Sequence, residues 1–251
     1  TNGEVDELER QVRSMGYYPL RTTPDEVEEF RRHPEEVNKV FSRLMLERML
    51  QWLDIAEERL KDTGIKCYVQ PGNDDHFEID SLFDGRQHVM NPEGTIAHID
   101  DDHVMVSTGY ANITPWDCPR DLPEEELADR IAKMTARVEN MEKCIFNFHC
   151  PPYDTHLDQA PELDENLRPK AEMGGKPKMI PVGSVAVRQA IERCQPLLGL
   201  HGHIHESRAA QKIGRTFCLN PGSEYGEGIL CGVIVDIDKK NGVRAHMFTS
   251  G

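Results

Sequence analysis

The sequence predicts an α/β protein, a sheet covered by helices, because a helical segment leads three times into a short apolar strand. The first helical segment runs from His33 to Gly64 with apolar residues at helical spacing, and the strand IKCYVQ follows it. The second, DLPEEELADRIAKMTARVENM, leads into CIFNF, and the third, VAVRQAIERC, leads into PLLGL. Helices that alternate with strands favour a sheet with helices on its faces.

Each helical segment carries a start signal. Pro34 suits a first turn, and Glu35 and Glu36 favour the positive end of the helix dipole. Pro123 precedes three glutamates in the same way, and Ser184 can cap the third helix. The C-terminal segments RTFCLN, ILCGVIVDID and VRAHMFTS predict antiparallel strands, with Asn241-Gly242 as the hairpin turn between the last two.

The length of 251 residues is enough for one large domain or two small ones, and we expect a single domain over 1–251. Residues 1–64 are predicted to be a largely helical segment that leads into the core. Residues 151–181 are rich in proline, glycine and charge, and are predicted to be a long surface loop, a kind of segment that is often functional.

The net charge of -15 excludes several classes of function. A surface this acidic repels polyphosphate, so a nucleic-acid polymer is disfavoured as a partner. A small phosphate ester remains a possible ligand, because a local cationic site can hold one phosphate group. The sequence contains no run of 18 apolar residues, so it predicts no membrane-spanning helix. The seven cysteines are scattered without a CxxC pair, a usage typical of a reducing, cytoplasmic location. The oligomeric state cannot be predicted.

Polar clusters follow the three predicted strands: Gly72-Asn73-Asp74-Asp75, then His149, then Gly202-His203-Ile204-His205. In α/β sheets, ligands bind at the carboxyl ends of the strands. Amide, imidazole and carboxylate groups are donors that suit zinc, manganese or iron. Glycine before the two histidines is expected to let the backbone turn sharply. The clusters therefore predict a metal site at one edge of a single sheet.

These motifs, PGNDD, FNFHCPP, GLHGHIHES and the later LNPGS, resemble in this order the second half of a calcineurin-like metallophosphoesterase. The resemblance covers roughly residues 65–250. It implies a β-sandwich flanked by helices, in four αββα layers, with two divalent metal ions at the strand ends. It also implies hydrolysis of a phosphate mono- or diester, that is, a phosphatase or phosphodiesterase that uses manganese, iron or zinc.

The resemblance also implies roles for individual residues. Asn73, His149 and His203 would bind one metal, and His205 would bind the other. Asp74 stands where the family commonly has a histidine that assists the leaving oxygen, and Asp75 stands where an acid orients that residue. As a general acid, Asp74 would need a raised pKa to be protonated near neutral pH.

The sequence departs from the family pattern upstream. The Asp-x-His and Gly-Asp-x-x-Asp elements that open the family motif are not found before Asn73. Because the first residues read like the middle of a longer segment, we expect the chain to lack an N-terminal portion that carries the remaining ligands. The rival interpretations are a non-catalytic metal-binding scaffold and an interaction module with the acidic helical region as its partner surface.

Overall fold

The computed structural model describes residues 2–172, 174–238 and 242–251, and its contacts divide the chain into two compact units. The first unit comprises Thr1–Cys67, Glu78–Met90 and Glu224–Ile229. Its elements are α1 (Asn2–Ser14), α2 (Pro24–Arg32), α3 (Pro34–Leu60), the start of β1 (Cys67–Tyr68), and β2 (Val89–Met90). The second unit comprises Tyr68–Phe77, Asn91–Ser223 and Leu230–Gly251. The single domain over 1–251 stays a prediction.

The helices of the first unit begin where local chemistry favours a start. A capping box opens α2, in which the Thr23 hydroxyl accepts the Glu26 N–H while the Glu26 carboxylate accepts the Thr23 N–H. Pro34 occupies the first turn of α3. The helix ends at Leu60, and Asp62 and Gly64 follow with φ values of 63° and 70°. Three helices thus occupy much of the segment predicted to be helical.

A six-stranded mixed sheet forms the centre of the second unit, in the order β11-β12-β10-β7-β4-β3. The pairs β4–β7, β7–β10 and β10–β12 are parallel, and the two outer pairs are antiparallel. The elements are β3 (Ile96–His98), β4 (Val104–Thr108), β5 (Ala111–Asn112), β6 (Asp121–Leu122), α4 (Glu124–Thr135), β7 (Cys144–Phe148), β8 (Gln159–Pro161), β9 (Met179–Pro181), α5 (Val185–Cys194), β10 (Leu198–Leu200), β11 (Ala209–Ile213), β12 (Thr216–Asn220), β13 (Cys231–Asp238) and β14 (Gly242–Ser250).

Both faces of this sheet are covered, which confirms the predicted α/β class. On one face, Leu127 and Ile131 of α4 and Ile191 of α5 pack with Phe146 and Phe148 of β7 in one buried cluster. On the other face, a smaller buried cluster packs against the apolar residues of the antiparallel pair β13–β14. The second unit is therefore layered as helices, sheet and sheet, which are three of the four layers implied by the resemblance.

The cap predicted for the third helix is confirmed. The Ser184 hydroxyl accepts the Val187 N–H at 3.1 Å, and the Ser184 hydroxyl itself donates to the Glu124 carboxylate at 2.8 Å. Glu124 also accepts the N–H groups of Val185 and Ala186. A carboxylate at the positive end of a helix dipole is stabilising, and here it also joins the starts of α4 and α5.

The prediction of a long surface loop over 151–181 is wrong in part. The strands β8 and β9 pair antiparallel within it, and Thr155, Leu157 and Asp158 are buried. The Asp158 carboxylate accepts N–H groups from Thr155 and from Gly183, which ties the two ends of the segment together. Two of the prolines that indicated a loop, Pro161 and Pro181, lie at the ends of the two short strands, where they are compatible with edge pairing.

Two further sequence expectations concern the first predicted strand and the C-terminal hairpin. The strand predicted at IKCYVQ shrinks to β1, which lies outside the six-stranded sheet, so only two of the three polar clusters follow strands of that sheet. The hairpin turn predicted at Asn241-Gly242 includes Asn241, which lies outside the described residues, although β13 and β14 pair as predicted. Within the described ranges, no helix is both long and apolar enough to cross a bilayer.

Candidate metal centre at the carboxyl edge of the sheet

The candidate site lies where the parallel strands of the second unit end. His149 follows β7 directly, His201 follows β10 directly, and Pro221 follows β12. Because β7, β10 and β12 are mutually parallel neighbours, these three turns leave the same edge of the sheet. The sheet itself therefore brings the turn around His149 and the turn around His203 together.

Three of the predicted metal ligands are gathered at this edge. The Nε2 atom of His149 lies 3.1 Å from the Oδ1 atom of Asn73, and the ring centroids of His149 and His203 are 5.0 Å apart. Asn73 is buried. The two atoms form a hydrogen bond when Nε2 of His149 carries the ring proton. When Nε2 is unprotonated, its lone pair and a lone pair of Asn73 Oδ1 can both face one cation.

Asn73 does not reach this edge on a strand of the sheet; a separate strand, β6, and the residue before it hold it there. The Asn73 carbonyl accepts the Arg120 N–H at 2.9 Å, and the Asn73 Nδ2 donates to Asp121 Oδ1 at 2.8 Å. Asp121 Oδ2 in turn accepts the N–H groups of Thr114 and Cys118. Since the amide nitrogen is committed to Asp121, the Asn73 oxygen is the atom that faces His149.

The buried guanidinium of Arg120 holds the remainder of the same turn. Arg120 is only 1% exposed, and it donates from Nε to the Asp75 carbonyl at 3.0 Å and from an Nη atom to the His76 carbonyl at 3.3 Å. The backbone that follows Asp74 is therefore fixed by one side chain. Neither Arg120 nor Asp121 belongs to a motif, and a single basic or acidic residue between two prolines gives no sequence signal, so sequence reasoning misses both.

The expected sharp turn is centred on His203 and not on the glycine before it. His203 has a φ of 63°, and the Gly202 carbonyl accepts the Ile204 N–H at 2.6 Å, which is the bonding pattern of a γ-turn. A positive φ is costly for a residue with a side chain, and such strain is concentrated at functional sites. Gly202 instead donates its N–H to the His149 carbonyl at 2.9 Å.

The remaining predicted residues lie at the solvent side of the cluster. His205 is exposed, and its positive charge, when present, helps to lower the pKa of both His149 and His203. Asp74 is exposed and lies beside the Cys118 thiol, whose pKa is raised by burial and by the nearby carboxylates Asp121 and Asp74. The charge of His205 thus acts on the other two histidines, and Asp74 lies next to Cys118.

Asp75 contacts the backbone of its own turn. Its Oδ2 accepts the Gly72 N–H at 2.7 Å, and burial raises the pKa of the carboxyl group above its usual range although this hydrogen bond opposes the shift. The contact that we see for Asp75 therefore fixes Gly72. The role of orienting Asp74, which the resemblance implies for Asp75, stays a prediction.

Burial keeps the imidazoles of the cluster neutral. It lowers the pKa of His149 to about 3, with the neighbouring His203 and His205 adding to the effect. Burial also lowers the pKa of His203 and of His201 to about 4. At neutral pH these rings carry a free lone pair, which is the form that binds a metal ion.

We expect the protein stripped of divalent cations by a chelator to lose stability as the pH falls from about 6.5 to about 4. An unfolded imidazole titrates near 6.5, whereas His149, His201 and His203 titrate at about 3 to 4 when folded. Between these pKa values only the unfolded state gains the protons. The contribution of the three neutral rings to the free energy of unfolding is therefore complete above the unfolded pKa and decreases as the pH falls below it. Urea midpoints measured at several pH values in EDTA test this.

A His203→Asn variant serves as the comparison for this pH series. It removes one of the three titrating rings, and asparagine tolerates the left-handed conformation. Its urea midpoint should therefore depend less steeply on pH than that of the parent protein. Equal slopes, or a parent midpoint that stays constant between about pH 7 and pH 4.5, would contradict the expectation.

The donors fit a divalent cation as part of a ligand set. Asn73 Oδ1, His149 and His203 provide one amide oxygen and two neutral imidazoles, which manganese, iron and zinc all accept. Gly72 leaves the space that the His149 ring fills, since a Cβ atom there would lie 2.8 Å from His149 Cε1. Among the residues that the structure describes, no three His, Cys, Asp or Glu side chains form a metal-binding group by themselves.

The chain is a mixed α/β protein with imidazole and amide donors at the carboxyl edge of its parallel strands. No protein-family model matches the sequence. A curated relative, the uncharacterized protein MJ1162 of Methanocaldococcus jannaschii, is 31% identical over 154 residues. That alignment covers 60% of this chain and 61% of the relative, so the chain spans less than two thirds of the relative's length.

Two solved structures resemble most of the chain. The protein TT1561 of Thermus thermophilus has a TM-score of 0.52 at 16% identity, and the match covers 84% of this chain and 79% of that protein. A second crystal structure has a TM-score of 0.52 at 18% identity, and the match covers 79% of this chain and 73% of the other. At such low identity the likeness establishes the mixed α/β fold and nothing about activity.

Proposed function

We propose that the chain is a metal-dependent phosphoesterase that hydrolyses a small phosphate mono- or diester at a dinuclear metal centre. Asn73, His149 and His203 would hold one metal ion, and His205 would contribute to the second. The observation that carries the proposal is the 3.1 Å approach of His149 Nε2 to Asn73 Oδ1 with the His203 ring beside them. These donors come from three separate segments of the chain. They meet at the carboxyl edge of the parallel strands, which is where α/β proteins usually bind ligands.

The chemistry of the donor set supports this reaction class. A pair of divalent metal ions bound there would supply positive charge to the oxygens of a transferring phosphoryl group. The residues of the chain would orient that charge: Asp121 fixes the Asn73 amide, and the Gly202 N–H fixes the His149 carbonyl. Such outer contacts typically tune metal affinity by about 10–100-fold.

The charge of the chain narrows the substrate class. A net charge of -15 repels a long polyanion at a distance, whereas one phosphate group gains more from adjacent metal ions than it loses to the surface. Asp74, exposed at the rim of the turn, is the carboxyl group that a substrate can reach, whereas Asp75 accepts the Gly72 N–H. We therefore propose small phosphate esters as substrates, and Mn²⁺, Fe²⁺ and Zn²⁺ as candidate metals.

One observation favours a second candidate, a non-catalytic metal-binding scaffold. Three His, Cys, Asp or Glu side chains do not converge as a metal-binding group anywhere in residues 2–172, 174–238 or 242–251. A site with only two imidazoles and an amide oxygen binds metal more weakly than a complete one. Such a protein would bind at most one ion and would not turn over a phosphate ester.

Metal counting and hydrolysis distinguish the two candidates. The purified protein is stripped with a chelator, reloaded with Mn²⁺, Fe²⁺ or Zn²⁺, and analysed by elemental mass spectrometry. The phosphoesterase requires about two ions per chain, together with metal-dependent hydrolysis of p-nitrophenyl phosphate or bis(p-nitrophenyl) phosphate. One ion per chain, without hydrolysis under any loading, would support the scaffold, and no bound ion would contradict both candidates.

A further inference from the structure

Two buried side chains outside the predicted ligand set each contact the backbone on both sides of one ligand. The first is His201, which is 6% exposed. Its Nδ1 lies 2.9 Å from the Phe148 carbonyl and 3.2 Å from the Cys150 carbonyl. These carbonyls belong to the residues directly before and after His149. A neutral imidazole with its proton on Nδ1 donates to both, which fixes the turn that carries His149.

The second side chain is Asn220, which is fully buried at the end of β12. Its Nδ2 lies 2.9 Å from the Ile204 carbonyl and 3.2 Å from the Gly202 carbonyl, the residues directly after and before His203, and 3.1 Å from the Leu157 carbonyl. Its Oδ1 accepts the Gly222 N–H at 2.9 Å, so the amide cannot flip without losing these bonds. Asn220 therefore spans the γ-turn that holds His203 at a φ of 63°.

The geometry points to His201 and Asn220 as positioning residues for the metal centre. Each holds the two carbonyl groups that flank one predicted ligand: His201 those around His149, and Asn220 those around His203. The strained conformation at His203 has an external support in Asn220, because a left-handed residue persists only where the surroundings enforce it. This inference rests on the proposed function in that it takes His149 and His203 as ligands.

The donor pattern also explains why these two residue types are used. His201 presents a ring N–H on the side where the two carbonyls lie, and its opposite nitrogen, Nε2, is buried with no hydrogen-bond partner among the residues that the structure describes. An orphaned buried nitrogen is costly, and the hydrogen bonds on the other side of the ring offset that cost. Position 220 requires an N–H donor for the carbonyls and an oxygen acceptor for the Gly222 N–H. Asparagine supplies both, whereas an ionised aspartate supplies only the acceptor.

Matched substitutions test the proposal through metal affinity. Asn220→Asp keeps the shape and removes the donor. In His201→Gln the amide nitrogen stands where Nε2 was, whereas in His201→Asn it stands where Nδ1 was. We expect Asn220→Asp and His201→Gln to weaken binding of Co²⁺, measured by absorbance titration, by at least about tenfold. His201→Asn should restore most of the affinity that His201→Gln loses.

Thr216→Val is the control for a general loss of stability. Thr216 is also buried in β12, and its hydroxyl donates to the Pro196 carbonyl at 2.7 Å, far along the strand from Asn220. Removing this bond should lower the melting temperature to an extent similar to that of the other variants and leave the Co²⁺ affinity unchanged. Unchanged affinity in Asn220→Asp, or an equal loss in Thr216→Val, would overturn the proposal.

A second measurement separates failure of this inference from failure of the proposed function. If the parent protein binds no Co²⁺, the proposed function fails, and the positioning is then read by NMR of ¹³C-labelled histidine in the chelator-treated protein. Asn220→Asp should shift the ring signal of His203, and His201→Gln that of His149, while Thr216→Val moves neither. Unshifted ring signals in the first two variants would overturn the positioning role itself.

Discussion

Replacing His203 with alanine is expected to abolish metal-dependent hydrolysis while the fold survives. The imidazole is one of two that face each other at 5.0 Å, and its loss leaves Asn73 and His149 as the only predicted ligands of the first metal. Metal charge contributes several kcal/mol to phosphoryl transfer, so the turnover number should fall by roughly 10³-fold. Metal content per chain should fall in the same preparation.

The fold should tolerate this change because His203 lies in a turn at the edge of the sheet and contributes nothing to either apolar cluster. The melting temperature should therefore stay within a few degrees of that of the parent protein. His246→Ala is the matched control, since the His246 ring lies against Phe217 and Phe248 on the β13–β14 layer. Retained hydrolysis in His203→Ala would remove His203 from the site, and lost hydrolysis in His246→Ala would discredit the comparison.

Replacing Gly72 with alanine is expected to damage the site without touching a ligand. A Cβ atom at this position would lie 2.8 Å from Cε1 and 2.9 Å from Nε2 of the His149 ring, closer than real contacts allow. The ring cannot easily move away, because Asn73 contacts it and the Gly202 N–H holds its backbone. Overpacking of this kind costs about 1–3 kcal/mol, and displacing the ring should weaken metal binding by about 10–100-fold.

Gly202→Ala provides the comparison for Gly72→Ala. A Cβ atom at Gly202 would lie 3.8 Å from His149 Nδ1, an ordinary van der Waals distance, and neither glycine has a left-handed φ. Titration with Co²⁺ should therefore show near-parent affinity for Gly202→Ala and the loss only for Gly72→Ala. If both variants bind like the parent protein, the His149 ring is not constrained as the structure indicates.

Local patterns predicted the secondary structure of the second unit well. Glu124 and its neighbours begin α4, Ser184 caps α5, and CIFNF forms β7, since caps and apolar periodicity act within a few residues. The segment over 151–181 was predicted less well. Its strands depend on pairing between residues about twenty positions apart, and its proline content concealed them.

The candidate site was predicted as a set of residues, and its geometry was not. The motifs singled out Asn73, His149, His203 and His205, and the structure brings the first three together at one edge while His205 is exposed. They did not reveal that Asn73 arrives without a strand of the central sheet, or that Arg120 and Asp121 hold it. They also assigned the sharp turn to Gly202, whereas the positive φ belongs to His203.

Residue type and short-range spacing were enough to predict the α/β class, the helix starts and the chemical identity of the donors. They were not enough to predict which donors meet, which atom of Asn73 faces His149, or which buried side chains fix the two histidine turns. Those properties depend on hydrogen bonds between residues far apart in the chain, such as Asn220 to Gly202 and Asn73 to Asp121. Such bonds depend on how distant segments pack against one another, which residue type and short-range spacing do not encode.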